Sequence, residues 1–222
     1  MSQPRLERVD QSKLRETVYD ALRQAFTRGE FAPGDVVSLR DLADQLGTSM
    51  TPVREAVRRL VAEGALTDTP SRTLMVPAFD ARRMQDLKGA RLALESLALD
   101  QAMDCVEPKG IAELEAILAC GRTIDGGPDL ETNYAFHFAV YRMSGSEVLL
   151  PLIEALWMQY GAYLNLIIKQ QSAIRMEEHV HHHEIIEAMR QGDRDGARAA
   201  LVEDIERSFR VLQPETEERP AT

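Results

Sequence analysis

Cysteine and long apolar runs are scarce in this sequence. The 222 residues include only two cysteines, Cys105 and Cys120, which are too few for a disulfide framework. No uncharged apolar run approaches the roughly 18 residues that a membrane-spanning helix needs. The N-terminal segment MSQPRLERVDQSK has no apolar core of the kind found in a secretory signal. We therefore expect a reduced, cytoplasmic protein that does not enter a membrane.

The charge of the chain is strongly acidic, with a formal net charge of −10. Taken alone, this value argues against nucleic acid as a partner. The excess is unevenly distributed, however, because residues 1–75 contain 11 basic and 11 acidic side chains and residues 76–222 contain 15 and 25. An acidic second part is thus joined to a neutral first part, whose basic residues can still share one face.

The sequence pattern changes near Val76, where short elements separated by turns give way to long helical periodicity. We predict a first domain over residues 1–76, which we call the head, and a second over residues 77–212, which we call the body. The last stretch, residues 213–222, is polar and contains proline, so we predict a disordered tail.

The head has the pattern of three helices followed by a hairpin. Helices are predicted over residues 12–28, 38–46 and 51–63, with a glycine following each of the longer two. Short β patterns at 65–68 and 73–76 then enclose a turn. This order of elements is typical of a winged helix-turn-helix.

The third predicted helix separates its apolar residues from its charged ones. At 100° per residue, the apolar side chains cluster on one face: Val53, Ala56, Val57 and Leu60. Thr51, Arg54 and Arg58 lie on the opposite face. Such a face on a core helix is most often simply solvated, but the preceding turn and the following hairpin favour DNA binding here. Arginine suits this role because its planar fork bonds a guanine edge or a phosphate.

Residues 12–76 resemble the DNA-binding domain of the GntR family of bacterial transcription regulators. The residues that carry the resemblance are Pro33-Gly34, Leu39-Arg40-Asp41-Leu42-Ala43, Leu46-Gly47-Thr48-Ser49, Thr51 to Leu60, and Glu63-Gly64. The resemblance implies that Arg40, Thr51 and Arg54 contact DNA and that the wing near Arg72 lies in or beside the minor groove. One departure is Thr73, which replaces the usual wing-tip glycine and resists a positive φ.

The helical periodicity of the body predicts an antiparallel all-α bundle of six to seven helices. The predicted fold class of the whole chain, a winged helix-turn-helix followed by this bundle, is therefore mainly α. The approximate spans are 80–105, 108–122, 129–144, 147–170, 173–191 and 194–212. Bundles build ligand sites from polar side chains that point into the core. Helical periodicity places four such side chains inward: Asn133, His137, His182 and Asp204.

Two histidines, an aspartate and an amide oxygen can form the ligand set of a divalent first-row metal ion. Each residue alone is more simply explained as a hydrogen-bonded core group, but their convergence from three helices favours the metal. The histidine-rich run at 177–184 has a separate explanation, a solvated cluster that binds metal adventitiously.

Residues 79–212 resemble the FCD-type ligand-binding domain of the FadR-like branch of the same family. The motif Asp-x-x-Phe-His corresponds to residues 133–137, and His-x-x-Ile-x-x-Ala followed by Gly-Asp corresponds to residues 182–193. Many members bind a metal through one aspartate and three histidines. Here Asn133 replaces the aspartate and Asp204 replaces the last histidine. The resemblance implies Zn²⁺, Mn²⁺ or Ni²⁺, with weakened Zn²⁺ binding, or a site that has lost its metal.

Arg91 is a further inward candidate, and two interpretations remain open. It can form a buried ion pair with Glu95 that serves only packing, or it can receive the carboxylate of an effector. The resemblance supports the second, because ligands in the family are often small organic acids and Arg91-x-x-Leu94-Glu95 is similar to the family's pattern.

Together these observations predict a homodimeric transcription regulator, usually a repressor in this family, that binds a palindromic operator in double-stranded DNA. A small carboxylate effector in the body, held directly or through a divalent metal ion, is predicted to change operator affinity. One alternative is a regulator whose body is metal-free and serves dimerisation alone. A metal-dependent enzyme is disfavoured because the sequence has no nucleophile elbow, P-loop or dinucleotide motif.

Overall fold

The computed structural model describes residues 11–69, 73–121, 129–169 and 179–210. Within these residues it contains nine helices and three short strands. The head contains α1 (Gln11–Thr27), β1 (Val36–Val37), α2 (Leu39–Gln45), α3 (Met50–Ala62), β2 (Thr67–Asp68) and β3 (Leu74–Met75). The body contains α4 (Ala81–Cys105), α5 (Pro108–Cys120), α6 (Leu130–Arg142), α7 (Leu149–Lys169), α8 (Val180–Gln191) and α9 (Arg194–Arg210). The predicted fold class is confirmed.

The head is a three-helix unit with a small antiparallel sheet. Ser38 begins α2, where its side chain accepts a hydrogen bond from the Asp41 backbone N–H at 3.3 Å. The sheet order is β1-β3-β2, so the predicted hairpin gains a third strand. Val36–Val37 were not predicted as a strand, because two residues are too few to show an alternating pattern and their pairing with β3 creates the strand.

The wing closes without a left-handed residue at Thr73. Backbone hydrogen bonding joins Thr69 N–H to the Thr73 carbonyl at 3.0 Å, and the Thr73 N–H donates to the Thr69 hydroxyl at 3.1 Å. Among the described non-glycine residues only His179 has a positive φ. Arg72, the predicted wing residue, lies outside the described residues.

The body is a six-helix bundle, within the described residues, around a long central helix. This helix, α4, packs against α6, α7 and α9, while α5 packs against α6 and α8. The core side chains are large and fully buried, among them Leu114, Phe136, Phe138, Tyr141 and Ile153. No helix in the described part of the chain is long and apolar enough to span a membrane.

Helix α7 joins the head to the body. Its residues Met158 and Ala162 are buried in the hydrophobic core of the head. At Gly161 the two backbones approach so closely that a Cβ atom would lie 1.7 Å from the Phe26 carbonyl oxygen. The Asn165 side-chain amide donates to the Gly29 carbonyl at 2.5 Å. One helix of the body therefore completes the core of the head.

Candidate DNA interface and metal centre

Helix α3 presents its charged face to solvent. Its apolar residues Val53, Ala56, Val57 and Leu60 are all buried. Thr51, Arg54 and Arg58 are exposed, as is Arg40 on α2. The structure thus gives these four residues the accessibility that a DNA contact requires, although their role in DNA binding stays a prediction.

The arginines of the head fall into two groups. Arg59 lies over the Tyr19 ring at 3.6 Å and forms ion pairs with Glu63 at 3.0 Å and Glu16 at 3.6 Å. By contrast, Arg40, Arg54 and Arg58 form no ion pair with any described residue. A guanidinium without an internal carboxylate partner remains available to a phosphate or a base.

Three helices bring His137, His182 and Asp204 together in the body. The His137 Nε2 atom lies 3.1 Å from Asp204 Oδ2 and 3.2 Å from His182 Nε2, and His182 Nε2 lies 3.8 Å from Asp204 Oδ1. Around an ion with metal–ligand bonds of about 2.1 Å, neighbouring donor atoms lie roughly 3.0–3.4 Å apart. Two of the three distances fall near this range. Both histidines are almost completely buried.

The donor set fits a divalent metal ion chemically. Burial and the neighbouring His137 lower the pKa of His182 to about 2, so its imidazole is neutral, which is the ligating form. Burial opposes the charge of Asp204, but contact with His137 and the nearby His182 and Arg207 hold its pKa below the usual range. The site therefore offers two imidazole nitrogens and one carboxylate oxygen, a set that suits zinc and similar ions.

Asn133, the fourth predicted ligand, is half-buried one helical turn before His137. No hydrogen bond among the described residues joins its amide to the other three side chains. The described cluster of donor atoms within 4.8 Å of one another consists of His137, His182 and Asp204. A metal role for Asn133 remains a prediction.

The histidine-rich run divides between the core and the surface. His179 begins α8 in the left-handed region, and its Nδ1 lies 2.8 Å from His182 Nδ1. His181 pairs with Glu184 at 2.7 Å, and His183 is exposed. His182 is therefore the residue of this run that enters the core cluster.

Arg91 forms the buried ion pair that one of its two interpretations required. Its side chain is 3% exposed, and its Nε and Nη2 donate to Glu95 Oε1 at 2.6 Å and Oε2 at 3.3 Å. The guanidinium packs between Trp157 and Tyr160, 4.5 Å from each ring centroid. Its third nitrogen, Nη1, is buried with no hydrogen-bond partner among the described residues. One donor is therefore still open to a carboxylate.

Glu95 connects Arg91 to the histidine cluster. The Tyr141 hydroxyl donates to Glu95 Oε2 at 2.5 Å and lies 3.0 Å from His137 Nδ1, while Trp157 Nε1 donates to Glu95 Oε1 at 3.1 Å. The sequence pattern did not indicate Tyr141 or Trp157 as site residues. The spacing of His137 and Tyr141, four residues apart on one helix, was the available signal for the first.

Comparison with known proteins identifies both halves of the chain. A family model described as "Bacterial regulatory proteins, gntR family" matches residues 14–76, and an "FCD domain" model matches residues 86–207. The chain belongs to the GntR family. Its second half is the FCD domain of such a regulator, and the proteins that it resembles are transcription regulators, not enzymes.

Individual relatives of this GntR regulator agree with that assignment. It is 30% identical over 200 residues to the HTH-type transcriptional regulator McbR of Escherichia coli K12, a match that covers 88% of this chain and 90% of McbR. It is also 30% identical over 149 residues to the HTH-type transcriptional repressor GlaR of the same organism, which covers 63% and 67% of the two chains. The solved structure of E. coli McbR/YncC matches with a TM-score of 0.83 and 29% identity over 92% of this chain and 98% of that one.

Proposed function

We propose that this GntR regulator is a homodimeric repressor whose operator affinity is controlled by a small organic acid bound at a metal ion in the FCD domain. The observation that carries the proposal is the convergence of His137, His182 and Asp204, which Tyr141 and Glu95 connect to Arg91, together with the buried Arg91 Nη1 that has no partner among the described residues. Buried polar groups nearly always have partners, so an open donor connected to three converging ligands supports a site that is completed by a ligand.

The DNA part of the proposal assigns contacts to the exposed residues of the head. Arg54 and Arg58 are proposed to contact bases or phosphates from α3, with Thr51 at the start of that helix and Arg40 on α2. Arg72 is proposed for the wing on the basis of the family resemblance. Two heads related by dimer symmetry would bind the half-sites of a palindromic operator in the cytoplasm.

The effector part of the proposal uses the metal and Arg91 together. His137, His182 and Asp204 would hold a Zn²⁺, Mn²⁺ or Ni²⁺ ion, with Asn133 as an additional oxygen donor. A bound ion supplies a Lewis acid to which a carboxylate can bind. Arg91 would orient the carboxylate through Nη1, since Glu95 already occupies Nε and Nη2.

Repression is proposed from the relatives. GlaR is named as a transcriptional repressor, and it shares 30% identity over 149 residues with this chain. In a repressor of this kind, effector binding lowers operator affinity and permits transcription.

The proposed function is tested by measuring operator affinity with and without acids. Genomic DNA selection supplies the operator duplex, and fluorescence anisotropy gives the Kd in the presence of Zn²⁺ and a panel of short mono- and dicarboxylates and 2-hydroxy acids. We expect one class of acid to weaken operator binding by several-fold to about a hundred-fold, equivalent to about 1–3 kcal/mol of coupling.

The matched variant is Arg91→Lys, which keeps the charge but loses the planar fork. It should bind the operator as the wild type does and respond less to the acid. An operator Kd unchanged by every acid in the panel would instead support the second candidate, a body that serves dimerisation alone. The observation that favours this candidate is the complete pairing of Arg91 Nε and Nη2 with Glu95.

A further inference from the structure

The ring nitrogen of His137 that points away from Asp204 contacts Tyr141. His137 Nδ1 lies 3.0 Å from the Tyr141 hydroxyl oxygen, and both side chains are buried. A phenol has one hydrogen to donate. The Tyr141 hydroxyl donates it to Glu95 Oε2 at 2.5 Å, so its oxygen can only accept from His137.

This contact determines which nitrogen of His137 is left for a metal ion. Since Tyr141 accepts, Nδ1 carries a proton, and Nε2 is the nitrogen whose lone pair a metal ion can use. Nε2 faces the cluster, 3.1 Å from Asp204 Oδ2 and 3.2 Å from His182 Nε2. If Nδ1 lacked a proton, the ring would carry its proton on Nε2, and His137 could not bind a metal through that nitrogen.

The direction of the Tyr141 hydrogen bond is in turn determined by Glu95. The Glu95 carboxylate receives four donors from three helices: Arg91 Nε, Arg91 Nη2, Trp157 Nε1 and the Tyr141 hydroxyl. A carboxylate accepts only, so Tyr141 cannot accept from Glu95. The four contacts also hold Glu95 in one rotamer, because any rotation would break several of them in a buried environment.

We infer that Tyr141 and Glu95 are positioning residues that prepare His137 for metal binding and connect it to Arg91. The inference rests on the proposed function, since it concerns how the proposed metal ligand is oriented. Neither residue touches the three converging donor atoms. Their contribution is the orientation and protonation of one ligand, an effect that typically changes metal affinity by 10- to 100-fold.

The experiment compares the full-length Tyr141→Phe variant with Tyr134→Phe as the matched control. Tyr134 lies on the same helix, but its hydroxyl accepts from Arg23 at 2.9 Å instead of from His137. Zn²⁺ affinity is measured by competition with a chelating dye, and Co²⁺ absorption reports the ligand geometry. We expect Tyr141→Phe to bind Zn²⁺ about 10- to 100-fold more weakly with an altered Co²⁺ spectrum, and Tyr134→Phe to match the wild type.

A second measurement is independent of metal binding. Nitrogen NMR of ¹⁵N-histidine-labelled, metal-free protein shows whether His137 Nδ1 carries a proton. We expect a protonated Nδ1 in the wild type and in Tyr134→Phe, and loss of this uniform Nδ1 protonation in Tyr141→Phe with circular dichroism unchanged.

The possible results separate the inference from the proposed function. Wild-type Zn²⁺ affinity and unchanged Nδ1 protonation in Tyr141→Phe would overturn the positioning role and leave the metal site intact. A His137 Nδ1 without a proton in the wild type would also overturn it. Tyr141-dependent Nδ1–H in a wild type that binds no Zn²⁺ would support the orientation of His137 and contradict the metal part of the proposed function.

Discussion

At the scale of single residues, the arginines of the head differ in whether their charge is already paired within the protein. Arg59 is held by Tyr19, Glu16 and Glu63, so its charge is used within the head. Arg54, five residues earlier on α3, is exposed and forms no ion pair within the described residues. The face of a helix predicts exposure, but only the folded contacts show which exposed arginine is already paired.

The first residue-scale prediction concerns Arg54→Ala. We expect operator affinity to fall by tenfold or more, because loss of a bidentate base contact costs about 1–3 kcal/mol. Anisotropy titrations at several salt concentrations measure the effect. Arg142→Ala, an exposed arginine on α6, is the matched control and should retain wild-type affinity. Equal affinity for both variants would show that Arg54 does not contact DNA.

The sequence predicted part of the core site, and the reason is geometric. Helical periodicity predicts which side chains of a helix point inward, so His137, His182 and Asp204 could each be placed in the core. It does not predict which inward side chains of different helices contact one another. The contacts of Trp157 and Tyr141 with Glu95 depend on how α4, α6 and α7 pack, and this lay beyond the sequence pattern.

At the scale of secondary-structure elements, α7 is the part of the molecule with two functions. Trp157 and Tyr160 enclose Arg91 in the body, whereas Met158 and Ala162 complete the core of the head. A helix that is apolar around its circumference is buried on more than one side. An apolar pattern of this kind indicates burial but does not show that two separate cores share the helix.

The element-scale prediction is that Gly161→Ala weakens the attachment of the head to α7. The added Cβ would lie 1.7 Å from the Phe26 carbonyl oxygen, so α1 must move. We expect a loss of roughly 1–3 kcal/mol in the free energy of unfolding, typical of overpacking, together with faster hydrogen exchange at the end of α1. Urea unfolding and hydrogen exchange measure the two effects.

The control is Gly89→Ala on α4, where an added Cβ meets no atom within 4 Å. Alanine there should be neutral or stabilising by about 0.5–1 kcal/mol, because it lowers the entropy lost on folding. If Gly161→Ala were as stable as Gly89→Ala, the close approach of α1 and α7 would not exist in solution.

At the scale of the whole molecule, the fold connects the proposed ligand site to the DNA-binding head. Arg91 contacts Trp157 and Tyr160, and the next residues of α7 contact the head. A ligand that moves Arg91 therefore acts on the helix that supports α1. The order of domains and the mainly α fold followed from the charge distribution, the turns and the periodicity. The packing of α7 against the head depends on contacts between residues far apart in the sequence, which no local sequence pattern predicts.

Elemental analysis of the untagged protein tests most directly whether His137, His182 and Asp204 hold a metal ion. We predict near-stoichiometric zinc, manganese or nickel in the wild type and little metal in His182→Ala, which removes one donor while the fold, checked by circular dichroism, is retained. Metal-free wild-type protein that takes up no Zn²⁺ on titration would contradict this metal site, and so would equal metal content in the two proteins.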